Sequence, residues 1–70
     1  MEEKIFTMYL LENESAKMES VMNDYSDKIK DWEKSKIFTV QNMRIIVYTM
    51  VTDEETFLDI TKEMDGTRVY

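Results

Sequence analysis

The chain has 70 residues and a mass of 8.4 kDa, which leaves room for one small domain over residues 1–70. It contains no Cys and no His, and its fifteen acidic and nine basic residues give a formal charge of -6. This composition excludes disulfides, thiol or imidazole catalysis and the usual zinc or haem ligands. Because phosphate backbones are bound by clustered Lys and Arg, the acidity also argues against direct binding of nucleic acid. We therefore expect neither a cofactor nor a metal nor a nucleic-acid partner.

The first third of the chain is predicted to form a strand followed by a long helix. Residues 4–11 are rich in residues that favour β-structure, which predicts a strand. After it, the apolar residues recur in alternating steps of four and three, which places them on one face of a helix. Apart from one serine they are apolar or aromatic: Leu11, Ser15, Met18, Met22, Tyr25, Ile29 and Trp32. The spacing predicts a helix over residues 13–35.

The middle of the chain is its most β-prone stretch and is predicted to form a hairpin. A single strand over this whole stretch would be too long for so small a domain. The polar pair Gln41-Asn42 interrupts it, so we expect strands over residues 36–40 and 43–51. A two-residue turn pairs Val40 with Met43, Phe38 with Ile45, and Lys36 with Val47.

A second helix is predicted over residues 53–65. The sequence from Thr52 to Glu55 has the pattern of a capping box, in which a hydroxyl and a carboxylate satisfy the first amides of a helix. Gly66 is a typical residue just beyond a helix C-terminus. Residues 67–70 are expected to form either a short edge strand or a loose tail.

These elements follow the order β-α-β-β-α, with a further strand if the tail pairs. This order is similar to the split βαβ pattern of ferredoxin-like folds. We therefore expect an α+β fold, a small two-layer sandwich in which two helices cover one face of an antiparallel sheet. Because this fold hosts many unrelated functions, the resemblance implies no activity.

The alternation of side chains along the strands predicts which sheet face the helices cover. One face is almost wholly apolar and is expected to lie under the helices: Phe6, Met8, Leu10, Phe38, Val40, Met43, Ile45, Val47 and Val51. The opposite face mixes apolar, aromatic and polar side chains and is expected to bind a partner through Tyr9, Arg44, Ile46, Tyr48 and Met50. A slip of one residue in the register would exchange the two faces.

The acidic charge is concentrated in the second predicted helix. Residues 52–66 contain six acids and one base. Glu55, Asp59 and Glu63 are four residues apart and form an acidic stripe, which either keeps the protein soluble or meets a basic partner.

Together, these features favour a small acidic non-catalytic protein-binding module, a regulator or inhibitor of bacterial or phage type. We expect a homodimer, because so small a domain buries little surface by itself. The alternatives are a dimeric small-ligand-binding domain or small enzyme with a pocket on the open sheet face, and an inhibitor that mimics DNA. No targeting signal or membrane-spanning stretch is recognised, so a cytoplasmic location is expected and a membrane partner is not.

Overall fold

The computed structural model describes residues 2–64, which form one sheet and two helices measuring 39 × 18 × 18 Å. In chain order the elements are β1 (Glu3–Leu11), a 3-10 turn (Glu12–Glu14), α1 (Ser15–Asp24), β2 (Ile29–Lys34), β3 (Phe38–Val40), β4 (Met43–Asp53) and α2 (Glu54–Glu63). The predicted tail strand over residues 67–70 lies outside the described residues.

Strand β4 is the centre of the sheet, and every other strand pairs with it in antiparallel fashion. Strand β1 runs along one edge of β4, while β2 and β3 follow one another along its opposite edge. Strands β1 and β2 are therefore parallel to each other with β4 between them, which is the split βαβ arrangement. The predicted α+β class, with two layers and an antiparallel sheet, is confirmed.

The core lies between the two helices and one face of the sheet. Its buried side chains come from β1, β2 and β4, from both helices and from the residue that follows α2: Met8, Leu10, Met18, Val21, Met22, Ile29, Ile46, Tyr48, Met50, Ile60 and Met64. At the edge of this core, the rings of Phe6 and Phe57 stack with their centroids 4.3 Å apart, which fixes α2 against β1.

The prediction of one long helix over residues 13–35 is wrong, because α1 ends at Asp24 and the chain turns before it enters β2. A bulge lies between Ile29 and Asp31, so that Ile29 is opposite Thr52 while Trp32 is opposite Met50. The extra residue places Ile29 and Trp32 on the same sheet face although they are three residues apart. Residues three apart also lie on one face of a helix, so the apolar spacing alone predicts a helix where the chain forms a strand.

The predicted hairpin turn is present at Gln41 and Asn42, whose φ angles are 49° and 68°. Positive φ at both central residues is typical of a type I′ turn, and Asn tolerates it. The register confirms the pairs Val40–Met43 and Phe38–Ile45, but the pair Lys36–Val47 is wrong. Instead Ser35 lies beside Val47, donating its amide to the Val47 carbonyl at 2.9 Å and accepting the Val47 amide on Oγ at 3.0 Å.

Helix α2 begins one residue later than the capping box predicted. The N-cap is Asp53, whose carboxylate accepts the Thr56 amide at 3.3 Å and the Thr56 hydroxyl at 2.6 Å. These hydrogen bonds, led by the one from the hydroxyl, lower the pKa of Asp53. Thr52 is buried instead and donates its hydroxyl to the Lys28 carbonyl at 2.8 Å, which ties β4 to the turn before β2.

Tyr48 connects α1 to the sheet. Its ring is fully buried and lies 5.9 Å from the ring of Trp32, and its hydroxyl donates to the Glu19 carboxylate at 2.8 Å. Glu19 also accepts from Lys34 at 2.8 Å, so one carboxylate joins α1 to both β2 and β4. Burial and the adjacent Glu19 carboxylate both raise the pKa of Tyr48, because each disfavours a phenolate.

Replacing Tyr48 by Phe tests this connection. The variant loses a hydrogen bond to a charged acceptor that is partly exposed, so we expect the free energy of unfolding to fall by about 1–2 kcal/mol. The measurement is chemical denaturation. Tyr9→Phe is the matched control on the opposite sheet face, and we expect it to change stability by less than about 0.5 kcal/mol. Equal effects of the two variants would contradict the assigned role of the Tyr48 hydroxyl.

Candidate functional site: the open sheet face

Within residues 2–64, no element covers one face of the sheet, and this is not the face expected from the sequence. Ile46, Tyr48 and Met50, predicted to bind a partner, are buried under the helices with exposed fractions of 4%, 0% and 0%. The opposite side of β4 faces away from the helices. The two faces of β4 are therefore exchanged relative to the prediction, whereas those of β1 are as expected, with Met8 covered and Tyr9 exposed.

On the open sheet face, the side chains form rows that run from β1 across β4 to β2 or β3. One half of it carries apolar or aromatic residues: Tyr9, Leu11, Phe38, Val40, Met43, Ile45 and Val47. Phe38, Val40 and Met43 are each about two-fifths exposed, and Tyr9 is about half exposed. Ile45 is buried although it lies outside the core cluster, because it is between Leu11 and Phe38 in the register. This half is a continuous apolar surface.

The other half of the open sheet face is more polar. Ile5 is its most exposed apolar side chain, with 72% of its surface accessible, and it pairs with Val51. Along the adjoining edge, Asp31 is opposite Val51 and Glu33 is opposite Thr49, so both acids lie on this face. Between β1 and β2 lies a shallow depression of about 240 Å³, which Trp32 also lines. It is smaller than the roughly 300–1,000 Å³ typical of small-ligand sites.

Arg44 was expected on the binding face, but its side chain is engaged elsewhere. Its guanidinium donates to both carboxylate oxygens of Glu12, with Nε at 2.6 Å and an Nη at 3.2 Å. The hydrogen bond to Arg44 lowers the pKa of Glu12, and the same bond raises the pKa of Arg44. Because Arg44 is paired with Thr39 in the register, it is not in the rows that contain Tyr9. Of the five predicted binding residues, Tyr9 is thus the one on the open sheet face.

The acidic stripe lies in the helical layer, on the opposite side of the sheet from the open face. Glu55 and Glu63 are exposed and Asp59 is half-buried. Glu63 accepts the hydroxyl of Tyr25 at 2.6 Å, which joins α2 to the turn after α1. Since the stripe and the open face are on opposite layers, one flat partner surface cannot contact both. At least Glu63 therefore has a structural role, while the expected contact of the stripe with a basic partner stays a prediction.

Within residues 2–64, no group of three or more acidic side chains is arranged to hold a metal ion. Over the same residues, no helix is both long and apolar enough to cross a membrane.

Sequence reasoning missed Phe38, Val40 and Met43 as surface residues, and it missed Asp31 and Glu33 as members of the sheet. The signal for the acids was the pair of charges on alternate residues, 31 and 33, which is typical of an exposed strand face. Because residues 13–35 are predicted to form one helix, this alternation is not interpreted as a strand.

Comparison with other proteins supports the fold and gives no function. No known protein family and no curated protein matches this sequence. Among solved structures, the chain is similar to the uncharacterized protein TM1266 from Thermotoga maritima, with a TM-score of 0.59 and 17% sequence identity. The match covers 94% of this chain and 86% of that one. At this identity the likeness establishes a shared small two-layer α+β fold.

The contact between Tyr25 and Glu63 can be tested by titration. The hydrogen bond to Glu63, followed by burial and the charges of neighbouring acids, raises the pKa of Tyr25 to about 12. We expect Glu63→Gln to lower this pKa towards the ordinary value near 10, as followed by NMR of ring-labelled tyrosine. Glu55→Gln is the control on the same helix and should leave the titration unchanged.

The same contact makes stability depend on alkaline pH. Because the pKa is higher in the folded state, the contribution of the contact is complete below about pH 10 and is lost as the pH rises through about 12. A Tyr25 titration that is identical in the wild type and in Glu63→Gln would show that the hydrogen bond is absent in solution.

Proposed function

We propose that the protein is a small non-catalytic module that binds another protein chain through the open sheet face. The observation that carries this proposal is that, among the described residues, nothing covers a whole face of the sheet and this face is half apolar. Antiparallel sheets that face water normally carry polar side chains there, whereas this face exposes Ile5, Tyr9, Phe38 and Val40. Contiguous apolar surface of this kind is characteristic of protein interfaces.

The flatness of the face favours a protein partner over a small molecule. The depression beside Trp32, of about 240 Å³, and a hollow of about 320 Å³ at the end of the face beside Leu11 and Met43 are both shallow and open, so a metabolite would leave much of its surface in water. A flat apolar surface with an acidic margin instead suits another protein surface, with aromatic residues such as Tyr9 and Phe38 as anchors. A module that binds through a flat face covers part of its partner's surface. We therefore propose that it regulates or inhibits that partner, and we place this role in the cytoplasm.

Site-specific photo-cross-linking in the native host tests this proposal. A photoreactive amino acid in place of Ile5 lies on the open sheet face, and one in place of Leu58 lies on the outer side of α2. Both positions are exposed and apolar, with 72% and 48% of the side chain accessible, so they form a matched pair. We expect light-dependent protein adducts from position 5 and few or none from position 58.

A second probe in place of the exposed Tyr9 covers the other half of the open sheet face. The absence of adducts from both positions 5 and 9 would contradict the proposed function, as would adducts confined to position 58. If no protein adduct forms while small metabolites raise the melting temperature, the protein is a ligand-binding domain instead. Competition between DNA and this protein for one partner would favour the DNA mimic, which predicts contacts from the acidic stripe instead.

A further inference from the structure

We propose that the chain covering the open sheet face is a second copy of this protein, so that two sheets pack face to face about a two-fold axis. This inference rests on the proposed function and names its partner. A two-fold arrangement brings the same surface of both copies together, so each apolar half serves as part of the other's missing layer. The product is a four-layer assembly with the helices outside and both sheets inside.

The area of the face supports a partner of the same shape. Strand β4 has eleven residues, so the face is about 36 Å long at roughly 3.3 Å per residue and about 14 Å wide across three strands. Its footprint is therefore about 500 Å² per copy, and two copies bury about 1,000 Å², which is near the lower limit for a specific interface. Only a partner that covers the full length and width reaches this limit, and a second identical sheet does so.

The charges on the face select one of two ways to place the axis. An axis along the strands would lay the β2 edge of one copy over β1 of the other, with Asp31 over Ile5 and Glu33 over Thr7. The carboxylates would then lose water without gaining a cation, which is costly. This arrangement is therefore disfavoured.

An axis across the strands, at the level of Tyr48, keeps the β2 edges of the two copies together and reverses the strands. The row of Thr49 and Glu33 in one copy then meets the row of Val47 in the other. Beside Val47 lies Ser35, and the exposed Lys36 follows it directly. The arrangement thus brings Glu33 close to the partner's Lys36, and the two-fold axis makes this pairing occur twice. Asp31 meets the row of the partner's Phe38, so one carboxylate per copy is without a cation here, compared with two when the axis lies along the strands.

Analytical ultracentrifugation of the full chain from about micromolar to millimolar concentration tests the dimer. We expect the mass to rise with concentration towards twice 8.4 kDa. Ile5→Asp places a carboxylate in the interface, so we expect the dissociation constant to increase at least about tenfold. Leu58→Asp introduces the same charge on α2 and should leave the dissociation constant unchanged. Tyr9→Asp replaces Ile5→Asp if that variant does not unfold cooperatively.

Charge exchange tests the orientation of the two copies. Glu33→Lys alone should weaken the dimer, because like charges then meet across the interface, and Glu33→Lys combined with Lys36→Glu should restore it. A double variant as weak as the single one would overturn the arrangement with the axis across the strands.

A chain that stays monomeric at millimolar concentration, or a dimer that Ile5→Asp and Tyr9→Asp both leave intact, would overturn the inference. The cross-linking result separates this failure from failure of the proposed function. A monomer whose position 5 cross-links to a different protein retains that function with another partner. A monomer without adducts at position 5 loses both.

Discussion

The structure depends on the alternation of side chains along β4, because the part of the chain from residue 2 to residue 64 has only two ten-residue helices with which to cover its sheet. Both helices pack on one side, where Ile46, Tyr48 and Met50 are fully or almost fully buried. No described element packs on the other side, so Val47 and Val51 stay half exposed. Since each strand of the sheet pairs with β4, its choice of inner face determines the inner face of the others.

This one-sided coverage links stability to function. A domain of this length buries only about 60% of the surface of its unfolded chain, so it gains comparatively little from its own core. The polar contacts that join the layers, at Tyr48 with Glu19 and at Tyr25 with Glu63, connect the helices to each other and to the inner face of the sheet. These contacts do not stabilise the open sheet face in the same way. An interface on that face would therefore supply both a binding function and a second core.

The sequence predicts β1, β3, β4, the hairpin turn and the fold class, because each has a local signal. It does not predict β2, which lies inside the helix predicted over residues 13–35. It does not predict the end of α1, since the bulge beside Ile29 reproduces a helical spacing within a strand. It also does not predict which face of β4 is buried, because both faces carry apolar residues. That choice depends on tertiary partners: the hydroxyls of Tyr48 and Thr52 find acceptors in α1 and in the turn before β2. Asp31 and Glu33 indicate the outer face of the sheet only once β2 is known to pair with β4.

The orientation of β4 can be measured directly by NMR with a soluble paramagnetic probe. In dilute solution, where any dimer is dissociated, we expect strong attenuation of side-chain signals from Ile5, Val47 and Val51 and protection of those from Ile46 and Met50. If these methyl groups were attenuated in the opposite pattern, the helices would cover the other face of β4. The open sheet face, together with the interface inferred from it, would then be wrong.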